Sequence, residues 1–315
     1  MKHVVVTGGF GYVGGRVVQA LMAAGQHVRV STRRQGDTVP QWARDQHAAG
    51  RLSWGRDLAA LCVGADAILH LAAPNETEFA DDPAAAVRRT VDLTRSALAA
   101  AGQAGVRQFI YFSTVHVYGK LAGTIDETTP LDPQNGYADA HRQSEDLAAA
   151  AAGDGMQSLI LRLSNGFGAP ADAGAGRWTL LVNDLCRQAV RDGTLTLSSS
   201  GQQWRDFIPL TDVAGAVSHF LGDGTPSTPV TVLNLSRGES MTVRRMAEII
   251  RERARAIIDP EIGLSGPPPG DGPDEPPLQI DNHALVATGF RPSTPAETEI
   301  DGMLNFCKAT FAPGL

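Results

Sequence analysis

Residues 3–14 read H-V-V-V-T-G-G-F-G-Y-V-G, and this stretch decides the fold. His3 to Thr7 is short, apolar and β-branched, as a buried strand is. It runs into Gly8, Gly11 and Gly14, spaced G-x-x-G-x-x-G. A helical pattern follows from Arg16 to Ala24, with Val17, Val18, Ala20 and Leu21 apolar and Gly25 as its stop. Glycines permit a tight turn and a close backbone approach to an anion. The helix start offers unpaired N–H groups and a partial positive charge. A strand before and a helix after is the context that a pyrophosphate-binding loop requires.

Outward from this unit the pattern repeats. Residues 27–31, 65–71, 107–113 and 158–163 read as strands, and Pro83 to Ala104 and Tyr137 to Ala152 as helices. Such alternation predicts a doubly wound α/β fold with a parallel sheet. The order breaks after Asn165. A helical run spans Leu180 to Val190, a strand turns into a helix over 205–217, another strand covers 230–236, and a helix covers 240–253 with Ser240 or Thr242 as its N-cap. The Pro- and Gly-rich stretch 266–277 reads as a surface loop. The expected organisation is a nucleotide-binding unit of 1–165 and 205–236, and a smaller mixed α/β substrate unit of 166–204 and 237–315.

Composition narrows the function. The chain has 315 residues, 43% hydrophobic and 19% charged, which is ordinary for a globular protein. A net charge of −7 argues against a nucleic-acid or membrane partner. Three dispersed cysteines do not suit a disulfide framework or a zinc cluster, so no metal is expected. Without a signal segment or a long apolar run, the expected location is cytoplasmic.

The end of the second strand, V-S-T-R-R (30–34), carries no acid. Arg33 and Arg34 would favour a ribose 2′-phosphate, so NADP(H) is preferred over NAD(H), with NAD as the alternative. Asp57 lies where a loop can reach an adenine amino group, or it caps a helix.

With that loop, the chain resembles the extended short-chain dehydrogenase/reductase family, in its nucleotide-sugar epimerase, dehydratase and ketoreductase branch. The resemblance rests on the loop, H-L-A-A (70–73), F-S-T-V-H-V-Y-G (112–119), Tyr137 with its helix, R-L-S-N-G-F-G (162–168), R-D-F-I-P-L-T-D-V (205–213), L-N-L-S-R-G (233–238) and D-N-H-A-L-V-A-T-G-F-R-P (281–292). It implies a Rossmann-type domain whose cofactor contacts are Gly8, Phe10, Gly11, Tyr12, Gly14, Arg33, Arg34, Asp57, Leu58, Leu71, Ala72, Ala73, Tyr137 and His141. It implies that Thr114 holds the substrate oxygen and that Tyr137 is the proton donor or acceptor there. It also implies a homodimer.

The family pattern places a lysine four residues after the tyrosine, one helical turn away on the same face. Here that residue is His141. Three readings stay open. A charged His141 replaces the lysine; Tyr137 works as a neutral proton donor; or the protein binds NADP without turnover. Loss of a fixed charge costs most when the tyrosine must be a base, so the substitution favours ketone reduction.

The branch's dehydratases carry Asp-Glu after the catalytic threonine; Val115 and His116 stand there instead, which disfavours dehydration. Arg205 and Asn165 match residues that contact the diphosphate or sugar in the branch. His116, Trp178, Asn75 and Glu76 are further substrate-pocket candidates. The expectation is an NADPH-dependent reductase of a nucleotide-linked 4-keto-6-deoxy sugar. A 4-epimerase with retained NAD(P) and a non-catalytic binding protein are the alternatives.

Overall fold

Seven parallel strands form the central sheet: β1 His3–Thr7, β2 His27–Ser31, β3 Leu52–Gly55, β4 Ala67–His70, β5 Gln108–Thr114, β6 Gln157–Leu163 and β7 Val230–Leu235. The computed structural model describes residues 1–74, 76–153, 155–268 and 276–312. The strand order is β3-β2-β1-β4-β5-β6-β7, the Rossmann-type arrangement expected from the loop. Chain order reverses between β1 and β4. A crevice therefore opens at the carboxyl ends of those strands, where ligands bind in such sheets.

Both faces of the sheet are covered, and the side-chain period of two shows it. Val4, Val6, Ile110 and Leu161 pack on one face, while Val5, Ile68, Phe109 and Ile160 pack on the other. Each such fully buried side chain contributes roughly 1.5–3 kcal/mol over exposure. On the first face lie helices α1 Tyr12–Ala23 and α5 Leu210–Phe220; on the second lie α2 Pro83–Ala104 and α3 Gly136–Ala150. Helices α4 Leu181–Asp192, α6 Val243–Ile257 and α7 Ala296–Phe311 share a separate apolar cluster with Phe167 and Phe207.

Helix α1 starts at Tyr12, four residues before the apolar pattern places it. Gly14 and Gly15 hide the start, because glycine is a poor helix former. Close approach requires Gly14: a Cβ there would lie 2.2 Å from the Gly8 carbonyl oxygen. Gly8 itself has φ +71 and lies against the Leu71 carbonyl. Thr242 is the N-cap of α6, accepting from the Arg245 N–H, and Ser240 belongs to a short strand Ser240–Thr242. That strand pairs with Trp204–Pro209, which pairs in turn with Asn165–Phe167. Residues 269–275 of the Pro-rich stretch lie outside the described residues. All three cysteines are buried free thiols. Among the described residues no helix is long and apolar enough to cross a membrane.

Candidate active site

A cleft of about 1530 Å³ follows the carboxyl ends of β1, β2, β4 and β5. A single small ligand needs roughly 300–1,000 Å³, so this cleft has room for two bound molecules side by side. One end is built by the glycine loop. Gly8, Phe10, Gly11, Tyr12 and Gly14 line it. Gly11 is the N-cap of α1 and supplies no side-chain cap, and the first turn carries no acid. The N–H groups of that turn are thus left for an anionic ligand. Tyr12 anchors the turn by donating to the Gly168 carbonyl at 2.9 Å and to Asn183 Oδ1 at 3.0 Å.

The same end carries a cationic rim. Arg33 and Arg34 line the cleft as expected, and Arg56 joins them, donating to the Arg33 carbonyl at 3.0 Å. Among the described residues no carboxylate pairs with these three arginines. Arg56 is not legible in sequence, since it follows β3, a four-residue strand too short to show a pattern. Leu58, Leu71, Ala72 and Ala73 line the cleft next to the loop. Asp57 does not: it caps the helix Leu58–Cys62, accepting from the Ala60 N–H at 3.1 Å. The loop, the uncapped helix start and the rim together fit a dinucleotide.

At the other end stand Thr114, His116, Tyr137 and His141. Thr114 closes β5 and accepts from the His116 N–H at 3.3 Å. Asn135 caps α3 through the Ala138 N–H, which sets Tyr137 in the first turn and His141 one turn later. Their rings meet edge to face with centroids 4.6 Å apart. Phe79 and His116 flank Tyr137 at 5.6 and 6.5 Å.

His141 is 6% exposed, and its Nδ1 lies 2.8 Å from the Tyr111 hydroxyl. Burial, helped by the neighbouring His116, pushes its pKa down to about 4. The imidazole is therefore neutral at pH 7 and does not reproduce a lysine's fixed charge. Burial also lowers the pKa of His116, with the Arg205 guanidinium as the second cause. Burial lowers His70, at the end of β4, to about 3.

The remaining substrate candidates separate. Asn165 lines the cleft while its Nδ2 donates to the Asp206 carbonyl at 2.8 Å. Arg205 is near enough to act on His116, but it is not on the lining and donates to the Trp204 carbonyl at 2.8 Å. Trp178 is off the lining as well. It stacks on Phe306 and meets Phe311 edge-on, where its large apolar area is covered. Asn75 lies outside the described residues, and Glu76 opens the short helix Glu76–Asp81. Among the described residues no cluster of His, Cys, Asp and Glu could hold a metal.

The buried histidines make stability acid-sensitive. A histidine with a depressed folded pKa binds fewer protons folded than unfolded. Its contribution is present above the unfolded value, about 6.5, and is lost as pH falls toward the folded value. The melting temperature should thus fall on acidification from about pH 6.5 to 4, and His141→Gln should flatten part of that slope. An unchanged slope in His141→Gln would mean that protons enter elsewhere.

Comparison with known proteins agrees with this geometry. The family model described as "NAD dependent epimerase/dehydratase family" matches residues 4–235. The chain is 30% identical over 277 residues to the UDP-glucose 4-epimerase of Streptomyces lividans, covering 78% of this chain and 79% of that one. It is 28% identical over 280 residues to UDP-glucuronic acid decarboxylase 1 of Arabidopsis thaliana, covering 84% of this chain and 60% of that one. The chain thus spans about 60% of the length of that decarboxylase and of its Danio rerio counterpart. Among solved structures, the UDP-glucuronic acid 4-epimerase of Bacillus cereus in complex with UDP-glucuronic acid and NAD superposes with a TM-score of 0.78 at 21% identity, covering 98% of this chain and 99% of that one. The UDP-Glc/GlcNAc 4-epimerase of Campylobacter jejuni gives 0.78 at 23%, covering 98% and 100%.

Proposed function

Because the chain belongs to the NAD dependent epimerase/dehydratase family, we propose that it is an NADPH-dependent reductase of a keto group on a nucleotide-linked sugar. The glycine loop, the start of α1 and Arg33, Arg34 and Arg56 would hold the dinucleotide. When bound, that cofactor supplies the hydride. Thr114 and Tyr137 hold the keto oxygen, and Tyr137 donates its phenolic proton as charge builds there. His141 supports this as a neutral hydrogen-bond donor. The observation that carries the direction is the burial of His141. A neutral partner helps a tyrosine that starts protonated more than one that must start as phenolate.

The UDP-sugars in the relatives' names support a nucleoside diphosphate sugar as substrate. Asn165 and His116 would contact its sugar, with the cleft between a unit of 1–165 and 205–236 and one of 166–204 and 237–315. A cytoplasmic homodimer belongs to the same proposal. A 4-epimerase that keeps its cofactor is the second reading, and the 30% identity to the Streptomyces lividans epimerase favours it.

The test is NADPH oxidation by the purified protein with a panel of nucleotide 4-keto sugars, from about pH 5.5 to 8.5. Consumption that does not follow a titration near pH 6.5 is the expected result. Bound NAD(P) after purification, with sugar interconversion and no net NADPH use, would replace the reductase by the epimerase. Arg33→Ala with Arg34→Ala should raise KM for NADPH by roughly tenfold or more and leave NADH little changed, since each charged hydrogen bond is worth about 1.5–3 kcal/mol. Equal effects on both cofactors would remove the 2′-phosphate role.

A further inference from the structure

Behind Tyr137 and His141 runs a chain of buried polar side chains that the proposed chemistry does not use. The Ala72 N–H donates to Thr7 Oγ1 at 3.3 Å, and Thr7 Oγ1 lies 2.7 Å from His70 Nδ1. His70 Nε2 is 3.1 Å from Thr94 Oγ1, and Thr94 donates to Ser144 Oγ at 3.0 Å. The Tyr111 hydroxyl lies 2.8 Å from His141 Nδ1. Thr94 and Ser144 are 0% exposed, His70 1% and Tyr111 2%, so water does not compete for these bonds.

The direction of the first links follows from the Ala72 N–H. A main-chain N–H can only donate. Thr7, having accepted it, gives its own proton to His70 Nδ1. A buried neutral histidine with an accepting Nδ1 carries its proton on Nε2, so His70 donates to Thr94. The Thr94 proton has two acceptors, the Thr90 carbonyl at 3.1 Å and Ser144 Oγ at 3.0 Å. A carbonyl oxygen has two lone pairs, so Thr90 and Ser144 share that proton. Tyr111 carries one phenolic proton and is 2% exposed, and His141 Nδ1 is the acceptor within hydrogen-bond reach of it, so Tyr111 donates there.

We propose that Tyr111 holds His141 as its Nε2–H tautomer, which makes Tyr111 a positioning residue for a neutral N–H donor facing the cleft. A neutral imidazole offers one donor only, and its place depends on what the other nitrogen accepts. Without Tyr111 the proton would divide between the two nitrogens, and part of the population would present a lone pair to Tyr137. A lysine needs no such control, because all its protons are donors. His141 and the tyrosine behind it are thus one device. The activity arm of its test rests on the reductase reading; the tautomer arm does not.

The test is nitrogen NMR of the full-length protein labelled at its eight histidines, with the His141 signals assigned by their loss in His141→Gln. The expected result is a protonated Nε2 and an unprotonated Nδ1 at pH 7; a protonated Nδ1 overturns the proposal. In Tyr111→Phe the His141 signals should move to a mixture of tautomers, and kcat should fall about tenfold with KM little changed, the worth of one hydrogen bond. The amide introduced by His141→Gln always offers a donor, so in that background Tyr111→Phe should change kcat less than about twofold. The same tenfold loss in both backgrounds would make Tyr111 a packing residue and sink the idea. If Tyr111→Phe does not fold, the tautomer of the unaltered protein still decides, since a protonated Nδ1 there overturns the proposal. The NMR needs no substrate, so absent turnover would defeat the reductase reading without touching the tautomer.

Discussion

Replacing Tyr137 by phenylalanine is expected to lower NADPH-dependent turnover by about 10²–10⁴, the usual worth of a positioned general acid. Binding of the dinucleotide should survive, because the glycine loop and the arginine rim lie at the other end of the cleft. The two should be measured together, turnover with a keto sugar nucleotide and cofactor binding by fluorescence titration. Loss of both would point to a misfolded site. Retention of more than about a tenth of the turnover would remove Tyr137 as the proton donor. His116 is then the group to examine, since its ring lies 6.5 Å from that of Tyr137 and lines the same cleft. Its pKa is lowered by burial, so it too is neutral at pH 7 and donates a hydrogen bond more readily than a proton.

The glycine loop, the sheet and the placement of Thr114, Tyr137 and His141 are readable in sequence because each rests on local pattern. Strand composition, glycine spacing and one helical turn between Tyr137 and His141 need no knowledge of distant residues. What escapes depends on contacts across the fold. β3 is only four residues, L-S-W-G, too short for a period of two to stand out, and Arg56 is hidden with it. Helix α7 does not emerge from the sequence reading, although its Ile300, Met303, Leu304 and Cys307 are all fully buried in the second apolar cluster. Trp178 is readable as a large aromatic, but not as a partner of Phe306 and Phe311 more than a hundred residues on. The charge of His141 is an open question in sequence, because a pKa depends on solvent exclusion. Tyr111, from β5, is connected to it only by the fold that packs α3 against that strand.

The last expectation concerns what holds α3 in place. Glu145 lies one turn beyond His141 on that helix and is 4% exposed. Arg162, from β6, reaches it with Nη2 to Oε2 at 2.7 Å and Nε to Oε1 at 3.1 Å, a two-pronged contact. Arg162 also donates to the Tyr118 hydroxyl at 2.8 Å, and its guanidinium sits 4.8 Å from the centre of that ring. Ser113 donates to the same carboxylate. Forming such a buried pair gains little net stability, because both ions lose hydration. Breaking it is another matter. Glu145→Gln leaves a guanidinium without counter-charge in the interior, at a cost of about 3–5 kcal/mol. Urea denaturation of Glu145→Gln, Arg162→Met and the double variant should give two large single losses and a double loss well below their sum. Additive losses would mean that the two side chains act separately. A single loss under about 1 kcal/mol would mean that water reaches the pair, as it does exposed ion pairs. The pair also bears on function, because the helix it ties to β6 carries both Tyr137 and His141. In Glu145→Gln under conditions where the protein stays folded, a looser helix should lower kcat more than it raises KM for NADPH, since the glycine loop proposed to hold the dinucleotide lies elsewhere.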